Sequence, residues 1–242
     1  SSAASDVYKR QMEAILQTGM SSMAMREAYQ RVAYYRAVEL YHSSNWSKAK
    51  EFFNKSLTYQ QNLTFVALAH FWMGELAYKK GDAQEALAQF ESFLNTPGSY
   101  ALSERPVSLY NKAYCLYKLD KLEDASAAFR VYLEDAKGDN KKNADATLRL
   151  ADLYFLLGKH SLGQEYYKKF IASSNSFNNS YSAYAEYQQA LCLGLLGRDN
   201  EKIVLLKSLS GKETRNDAFG GKYSIEALYE ICLLYTSDAA DE

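Results

Sequence analysis

The side chains that could hold a metal ion are few in this sequence. Its three histidines are His42, His70 and His160. A protein metal site brings together several His, Cys or carboxylate side chains at characteristic short spacings. None of the three histidines has such a partner three or four residues away in a pattern that recurs to complete a ligand set. We therefore expect structural or surface roles for them, and the sequence predicts neither a metal nor another cofactor.

Two cysteines could supply a nucleophile if their surroundings favoured the thiolate. Cys115 and Cys192 each follow a small residue, Ala113 and Ala190, by two positions, at the same point of a repeated pattern described below. A shared position in a repeat predicts a buried packing role for these thiols rather than reactivity.

Acid–base catalysis would need carboxylates gathered at one place. The acidic residues of the helical segments, such as Glu75, Asp152 and Glu186, are scattered over different repeats. The sequence also has no glycine-rich phosphate loop, no nucleophile elbow and no calcium loop. We therefore predict no catalytic residues and a chain that is not an enzyme.

Charge and composition narrow the class of protein. The chain has 28 Lys+Arg against 29 Asp+Glu and no dense basic run, so nucleic acid is not an expected partner. It has no apolar stretch of about 18 residues, so no transmembrane segment is predicted. Only 2 prolines and 12 glycines occur in 242 residues, and the apolar content is 48%, which predicts a folded chain of long helices.

The two ends do not continue the pattern of the sequence between them. The first eleven residues, SSAASDVYKRQ, resemble the translation of one strand of a sequencing-library adapter, and the last eleven, CLLYTSDAADE, resemble that of the complementary strand. We therefore expect residues 1–11 and 232–242 to be adapter-derived tails. Residues 12–231 are then the native part, cut from a longer gene.

Between the ends, small and large residues recur in five units with a period of 37 to 39 residues. In the second half of each unit the small residues are Ala49, Ala86, Ala125 and Gly163, with Lys202 as the exception. Four positions later come the large residues Phe53, Phe90, Phe129, Tyr167 and Leu206. The first halves carry their own small column of Ala37, Gly74, Ala113, Ala151 and Ala190. Because two helices approach closely only where a small residue faces a large one, each unit is predicted to be a helical hairpin.

The turn between the two helices of each unit also recurs. Gly81, Gly158 and Gly197 end three of the first helices, where a left-handed residue costs least without a Cβ. Ser44 and Asp120 take that place in the other two units.

These columns resemble the tetratricopeptide repeat, whose usual period of about 34 residues is slightly shorter. The resemblance covers essentially residues 12–231. It implies an all-α fold, a right-handed α-solenoid of stacked antiparallel helix pairs, in a single array of about five units with a partial unit at each end. In its general sequence character the chain is most similar to long tetratricopeptide-repeat proteins of bacterial cell envelopes. This resemblance implies a location in the periplasm or at the periphery of the outer membrane.

In tetratricopeptide arrays the first helix of each unit faces the concave side, so the resemblance implies a groove lined by two columns. The first column is Tyr34, Phe71, Tyr110, Leu148 and Tyr187, and the second is Tyr41, Tyr78, Tyr117, Phe155 and Gly194. Eight of these ten positions are aromatic, and Trp72 and Tyr114 flank them. The candidate partner-binding residues are Tyr34, Tyr41, Phe71, Trp72, Tyr78, Tyr110, Tyr114, Tyr117, Phe155 and Tyr187.

A groove of amphipathic rings fits an extended or helical peptide, because Tyr and Trp dominate binding hot spots. Packing alone also accounts for tyrosine in these columns, and binding is favoured where several rings adjoin, in units two and three. We expect a non-catalytic scaffold for a protein or peptide segment in bacterial envelope assembly. Glycan binding and a role as the interaction domain of a larger enzyme are the alternatives. The aromatic first column argues against the Lys/Asn clamp with which some tetratricopeptide domains hold a terminal carboxylate.

Overall fold

The computed structural model consists of helices and turns throughout the residues it describes. Those residues are 7, 10–11, 13–15, 17, 22–135, 139–173, 176–211 and 220–238. They fall into two compact units, Ser1–Lys121 and Leu122–Glu242, which we call the N-terminal body and the C-terminal body. Most of the predicted tail 1–11 lies outside the described residues, whereas residues 232–238 continue the last helix. The extent of both tails and the single array over 12–231 remain predictions.

The N-terminal body contains two helical hairpins and the first helix of a third. Its helices are α1 (Met23–His42), α2 (Trp46–Leu57), α3 (Leu63–Lys79), α4 (Ala83–Asn95) and α5 (Arg105–Lys118), with a short 3-10 turn at Ser99–Ala101. Consecutive helices pack against one another, and α1 also contacts α3. Helices α1, α3 and α5 are thus the first helices of repeats one, two and three.

The C-terminal body continues the same alternation. Its helices are α6 (Leu122–Asp135), α7 (Asn140–Leu156), α8 (His160–Ala172), α9 (Ser176–Leu195), α10 (Asp199–Ser210) and α11 (Gly220–Asp238). Here too each helix packs on the next, and the first helices α7, α9 and α11 contact one another in turn. Each body is a stack of antiparallel helix pairs, which is the all-α solenoid class that the sequence predicts.

The hairpin turns have the predicted left-handed residues. Gly81, Gly158 and Gly197 have φ of 82°, 69° and 70°. The residues with side chains, Ser44 and Asp120, adopt φ of 60° and 58° at the same point. In the second repeat Gly81 N–H donates to the Tyr78 carbonyl at 3.1 Å, and the next amide donates to Ala77 at 3.0 Å. This hydrogen-bond pair is the Schellman motif, which satisfies carbonyls that the end of the helix leaves without partners.

The predicted columns form the core of the hairpins. The large residues Phe53, Phe90, Phe129, Tyr167 and Leu206 are at most 1% exposed. Gly74 shows why the facing column is small: a Cβ added to it would lie 2.8 Å from Cε1 of Phe90. The small-beside-large code is therefore confirmed.

The fifth repeat has a different pair of residues at the close approach of its two helices. Lys202, the exception in the small column, is only 9% exposed. Its chain crosses the backbone of Gly194, where an added Cβ would lie 2.8 Å from the lysine Cδ. Its Nζ then reaches the Glu230 carboxylate of α11 at 2.8 Å. Here a glycine on the first helix faces a long side chain on the second, and the buried ammonium has a counter-ion.

Candidate partner-binding surface

Trp72 connects the first two repeats of the N-terminal body. Its Nε1 donates a hydrogen bond to the Tyr34 hydroxyl at 3.1 Å. Its ring lies 4.7 Å from that of Tyr41 and 5.2 Å from that of Phe71, centroid to centroid. A single indole therefore joins α1 and α3 and fixes the rings around it.

Three of the candidate binding residues are covered mainly by the chain itself. Tyr34, Tyr41 and Phe71 are 7%, 8% and 6% exposed. Burial raises the pKa of the Tyr34 hydroxyl to about 12. Phe71 packs against Phe90 and Phe93 of α4. A partner would meet only the edges of these three rings, so they support a surface more than they form one.

Four tyrosines on α3 and α5 keep exposed area. Tyr78, Tyr110 and Tyr114 are partly buried, and Tyr117 is 37% exposed. Residues 110, 114 and 117 share one face of α5 because they are spaced four and three positions apart. The rings of Tyr110 and Tyr114 are 5.0 Å apart. With Trp72, we call these five side chains the aromatic face; it consists of Trp72, Tyr78, Tyr110, Tyr114 and Tyr117.

Polar contacts align the two helices that carry the aromatic face. Asn111 Nδ2 on α5 donates to the Glu75 carboxylate on α3 at 2.6 Å. Behind this contact Cys115 is fully buried, and burial raises the pKa of its thiol to about 12. Cys192 of the C-terminal body is equally buried, with a pKa of about 11 for the same reason. The predicted packing position of both thiols is confirmed, and desolvation disfavours their thiolates.

The other two candidates belong to the C-terminal body. Phe155 is partly buried and lies 5.6 Å from the His160 ring. Tyr187 is 8% exposed, and its ring is 5.4 Å from that of Tyr223. Burial, reinforced by Glu230 and Glu226, raises the Tyr187 pKa to about 12. Neither residue is part of the aromatic face.

A family model described as tetratricopeptide repeat matches residues 68–99 and 145–175. The first stretch holds most of α3 and all of α4, and the second holds most of α7 and all of α8. The chain contains tetratricopeptide repeats in these two stretches. No curated protein has a sequence that matches it.

Solved tetratricopeptide structures share its fold. YrrB, described as a TPR protein with an unusual peptide-binding site, is 15% identical and covers 86% of this chain and 91% of its own, with a TM-score of 0.58. MamA is 16% identical over 74% of this chain and 88% of its own, with a TM-score of 0.56. PilF of Pseudomonas aeruginosa is 16% identical over 95% and 98%, with a TM-score of 0.51. At such identities the likeness shows the fold alone.

The C-terminal body also has a buried polar cluster that the sequence pattern does not reveal. Asp152 of α7 accepts hydrogen bonds from the hydroxyls of Tyr167 and Tyr184, both at 2.8 Å. Its second oxygen lies 2.9 Å from Nη1 of Arg149. Burial raises the pKa of the Asp152 carboxyl, while the hydrogen bonds from the two tyrosines and Arg149 oppose that shift. The cluster joins α7, α8 and α9 and is a structural element of the C-terminal body.

The three histidines make different local contacts in their helices and turns. His42 is exposed next to Trp72, at 5.7 Å between ring centroids. His70 Nδ1 lies 2.8 Å from the Gln89 amide oxygen, across the second hairpin. Within the described ranges, no group of three or more His, Cys, Asp or Glu is placed to hold a metal ion. Nor does any helix in the described part of the chain have the length and apolar character to cross a membrane.

Proposed function

We propose that this protein is a non-catalytic scaffold that binds a protein or peptide segment on the aromatic face. The observation that carries the proposal is the exposed area of four tyrosines on α3 and α5. The hairpin cores bury their large residues completely, whereas Tyr117 keeps 37% of its surface exposed. Rings that are not needed to fill a core are available to a partner.

The physical state of these rings favours binding. Trp72 is held by its hydrogen bond to Tyr34, and Tyr110 rests against Tyr114. Such rings lose little conformational freedom when a partner covers them, so more of the contact energy appears as affinity. Their hydroxyl groups also give an apolar contact a polar rim.

The family match and the similar solved structures support a role in protein interaction. Tetratricopeptide repeats as a family bind proteins or peptides, and the YrrB structure is described by its peptide-binding site. The likeness of the sequence to envelope tetratricopeptide-repeat proteins supports bacterial envelope assembly as the setting.

The test uses the full chain and a random peptide library displayed on phage. Enriched peptides are resynthesised with a fluorescent label, and their affinity is measured by anisotropy. We expect the variant Tyr78→Ser/Tyr117→Ser to weaken binding by ~2–4 kcal/mol, the range of hot-spot residues. The matched control is Tyr100→Ser, since Tyr100 is 77% exposed on the 3-10 turn and is not one of the five side chains of the aromatic face.

The same variants separate the alternatives. Affinity that is unchanged by the double replacement would remove the aromatic face from the binding site. Oligosaccharides on a glycan array that bind the wild type and lose binding in the double variant, while no peptide is enriched, would favour the glycan-binding alternative. Helix content measured by circular dichroism must be the same in all variants, because partly exposed tyrosines contribute less to the fold than buried rings.

A further inference from the structure

Positive charge is concentrated on the first helices of the N-terminal body. Helices α1, α3 and α5 carry seven basic residues, Arg26, Arg31, Arg36, Lys79, Arg105, Lys112 and Lys118. They carry three acidic residues, Glu27, Glu39 and Glu75, so their net charge is 7 − 3 = +4. The first helices α7 and α9 of the C-terminal body have three basic and three acidic residues, a net charge of zero. The near-neutral total of the chain therefore conceals an excess of basic residues on the first helices of the N-terminal body.

Two of these cations lie over tyrosine rings of the preceding repeat. Lys79 is the last residue of α3, and its Nζ lies 4.5 Å from the ring centroid of Tyr41 in the preceding repeat. Lys118 is the last residue of α5, and its Nζ lies 4.3 Å from the ring centroid of Tyr78. Both distances are typical of cation–π contacts. The same cation–π contact therefore joins repeat one to repeat two and repeat two to repeat three.

Within the part of the chain that the structure describes, these two ammonium groups form no ion pair. Among the described residues, no carboxylate lies within 4.0 Å of Nζ of Lys79 or Lys118. Glu75, one helical turn before Lys79, accepts instead from Asn111. Other lysines of this body do have counter-ions: Lys112 is 3.1 Å from Glu91, and Lys55 is 2.6 Å from Glu51. An ammonium that rests on a ring still offers hydrogens to an acceptor on its open side.

We infer that the segment bound by the aromatic face is an acidic peptide whose carboxylates contact Lys79 and Lys118 and whose apolar side chains contact the rings. This inference rests on the proposed function and adds the chemical class of the partner. Tyr41 and Tyr78 hold the two cations in position, so an ion pair with a partner costs less side-chain entropy than one made by a free lysine. The net charge of +4 on the same helices attracts such a segment during encounter.

Lysine at the end of a helix also compensates the helix dipole, a role that requires no partner. The neighbouring Lys80 and Lys121 provide the matched control, because both are exposed and lie just beyond the same two helices. Lys80 is one residue past the end of α3, and Lys121 is three residues past the end of α5. The experiment compares Lys79→Gln/Lys118→Gln with Lys80→Gln/Lys121→Gln in the full chain. Both variants remove two positive charges, and only the first removes the cations over the rings.

The peptides enriched from the phage library, resynthesised and labelled, are the probes. We expect them to be rich in Asp and Glu together with apolar residues. Their affinity should fall about fivefold in Lys79→Gln/Lys118→Gln and by less than twofold in the control. It should also fall in the wild type as salt rises from about 50 mM to about 300 mM, because exposed ion pairs are screened. A labelled single-stranded oligothymidylate is titrated in parallel.

Each other outcome overturns the inference in a distinguishable way. Enriched peptides without acidic residues, weakened by Tyr78→Ser/Tyr117→Ser and not by the lysine replacements, would leave the proposed function and remove the acidic partner. Equal loss in both lysine variants would indicate general charge attraction and no role for the two ring-bound cations. Binding that depends on neither the tyrosines nor the lysines would remove both proposals. Tighter binding of the oligothymidylate than of any acidic peptide, lost in Lys79→Gln/Lys118→Gln, would identify the face as a site for single-stranded nucleic acid.

Discussion

Replacing Phe90 by alanine is expected to lower the free energy of unfolding by about 3–5 kcal/mol, as for other fully buried rings. Phe90 is 0% exposed and fills the space beside Gly74 and Phe71 in the second hairpin. The measurement is urea unfolding followed by circular dichroism. The control Leu63→Ala also truncates an apolar side chain, but Leu63 is 42% exposed, so its cost should be within about 0.5 kcal/mol.

The same position allows a sharper test of the packing code. A methyl group on residue 74 would lie 2.8 Å from the Phe90 ring, so Gly74→Ala should cost about 1–3 kcal/mol in the wild type. In the Phe90→Ala background the methyl group has room, and the helix propensity of alanine should make the same replacement favourable by up to about 1 kcal/mol. An equal cost in both backgrounds would contradict the close approach of α3 and α4 at this point.

The second large effect is expected in the C-terminal body. Asp152→Ala should destabilise the protein by about 3–4 kcal/mol, because it leaves Arg149 without its carboxylate and the buried Tyr167 and Tyr184 hydroxyls without their acceptor. Asp152→Asn keeps an oxygen acceptor of the same shape and should cost clearly less. In the background of the double variant Tyr167→Phe/Tyr184→Phe, the additional replacement Asp152→Ala should destabilise the protein much less. If the cost of Asp152→Ala does not depend on the two hydroxyls, the cluster does not act as a unit.

The pH dependence of the Asp152→Asn effect follows from the direction of the pKa shift. Burial raises the Asp152 pKa in the folded state above its value in the unfolded chain. The folded state therefore binds this proton more tightly, and the contribution of Asp152 is most favourable below the unfolded pKa of about 4. It declines as pH rises through the folded pKa. The stability difference between wild type and Asp152→Asn should accordingly shrink on that rise, whereas an unchanged difference would mean that folding does not shift the pKa of this carboxyl.

Much of the fold could be predicted because repetition makes weak local signals consistent. Any one glycine is a poor guide to a turn, but Gly81 and Asp120 were identified by their place in the period, and both have positive φ. Phe53 and Phe90 were assigned to the core by their distance from Ala49 and Ala86, and all four are 0% exposed. In each case the signal depends on residues close together in one hairpin.

The candidate surface was less predictable because its burial depends on neighbouring repeats. Tyr41 and Tyr78 occupy the same repeat position, and the last lysine of the next first helix lies over each ring. Tyr41 is 8% exposed because Trp72 of the next repeat also packs against it, while Tyr78 is only partly buried. No pattern within one repeat contains that information. In the sequence Asp152 looks like one of several scattered acids for the same reason: its partner Tyr184 is 32 residues away in the next repeat.

The central claim, that a peptide partner binds on the first-helix side of the N-terminal body, is tested most directly by a crystal structure of the full chain with an enriched peptide. We predict that the peptide lies against Trp72, Tyr78, Tyr110, Tyr114 and Tyr117, with carboxylates within hydrogen-bond distance of Lys79 and Lys118. A peptide seated on α2 or α4, or anywhere in the C-terminal body, would contradict the account.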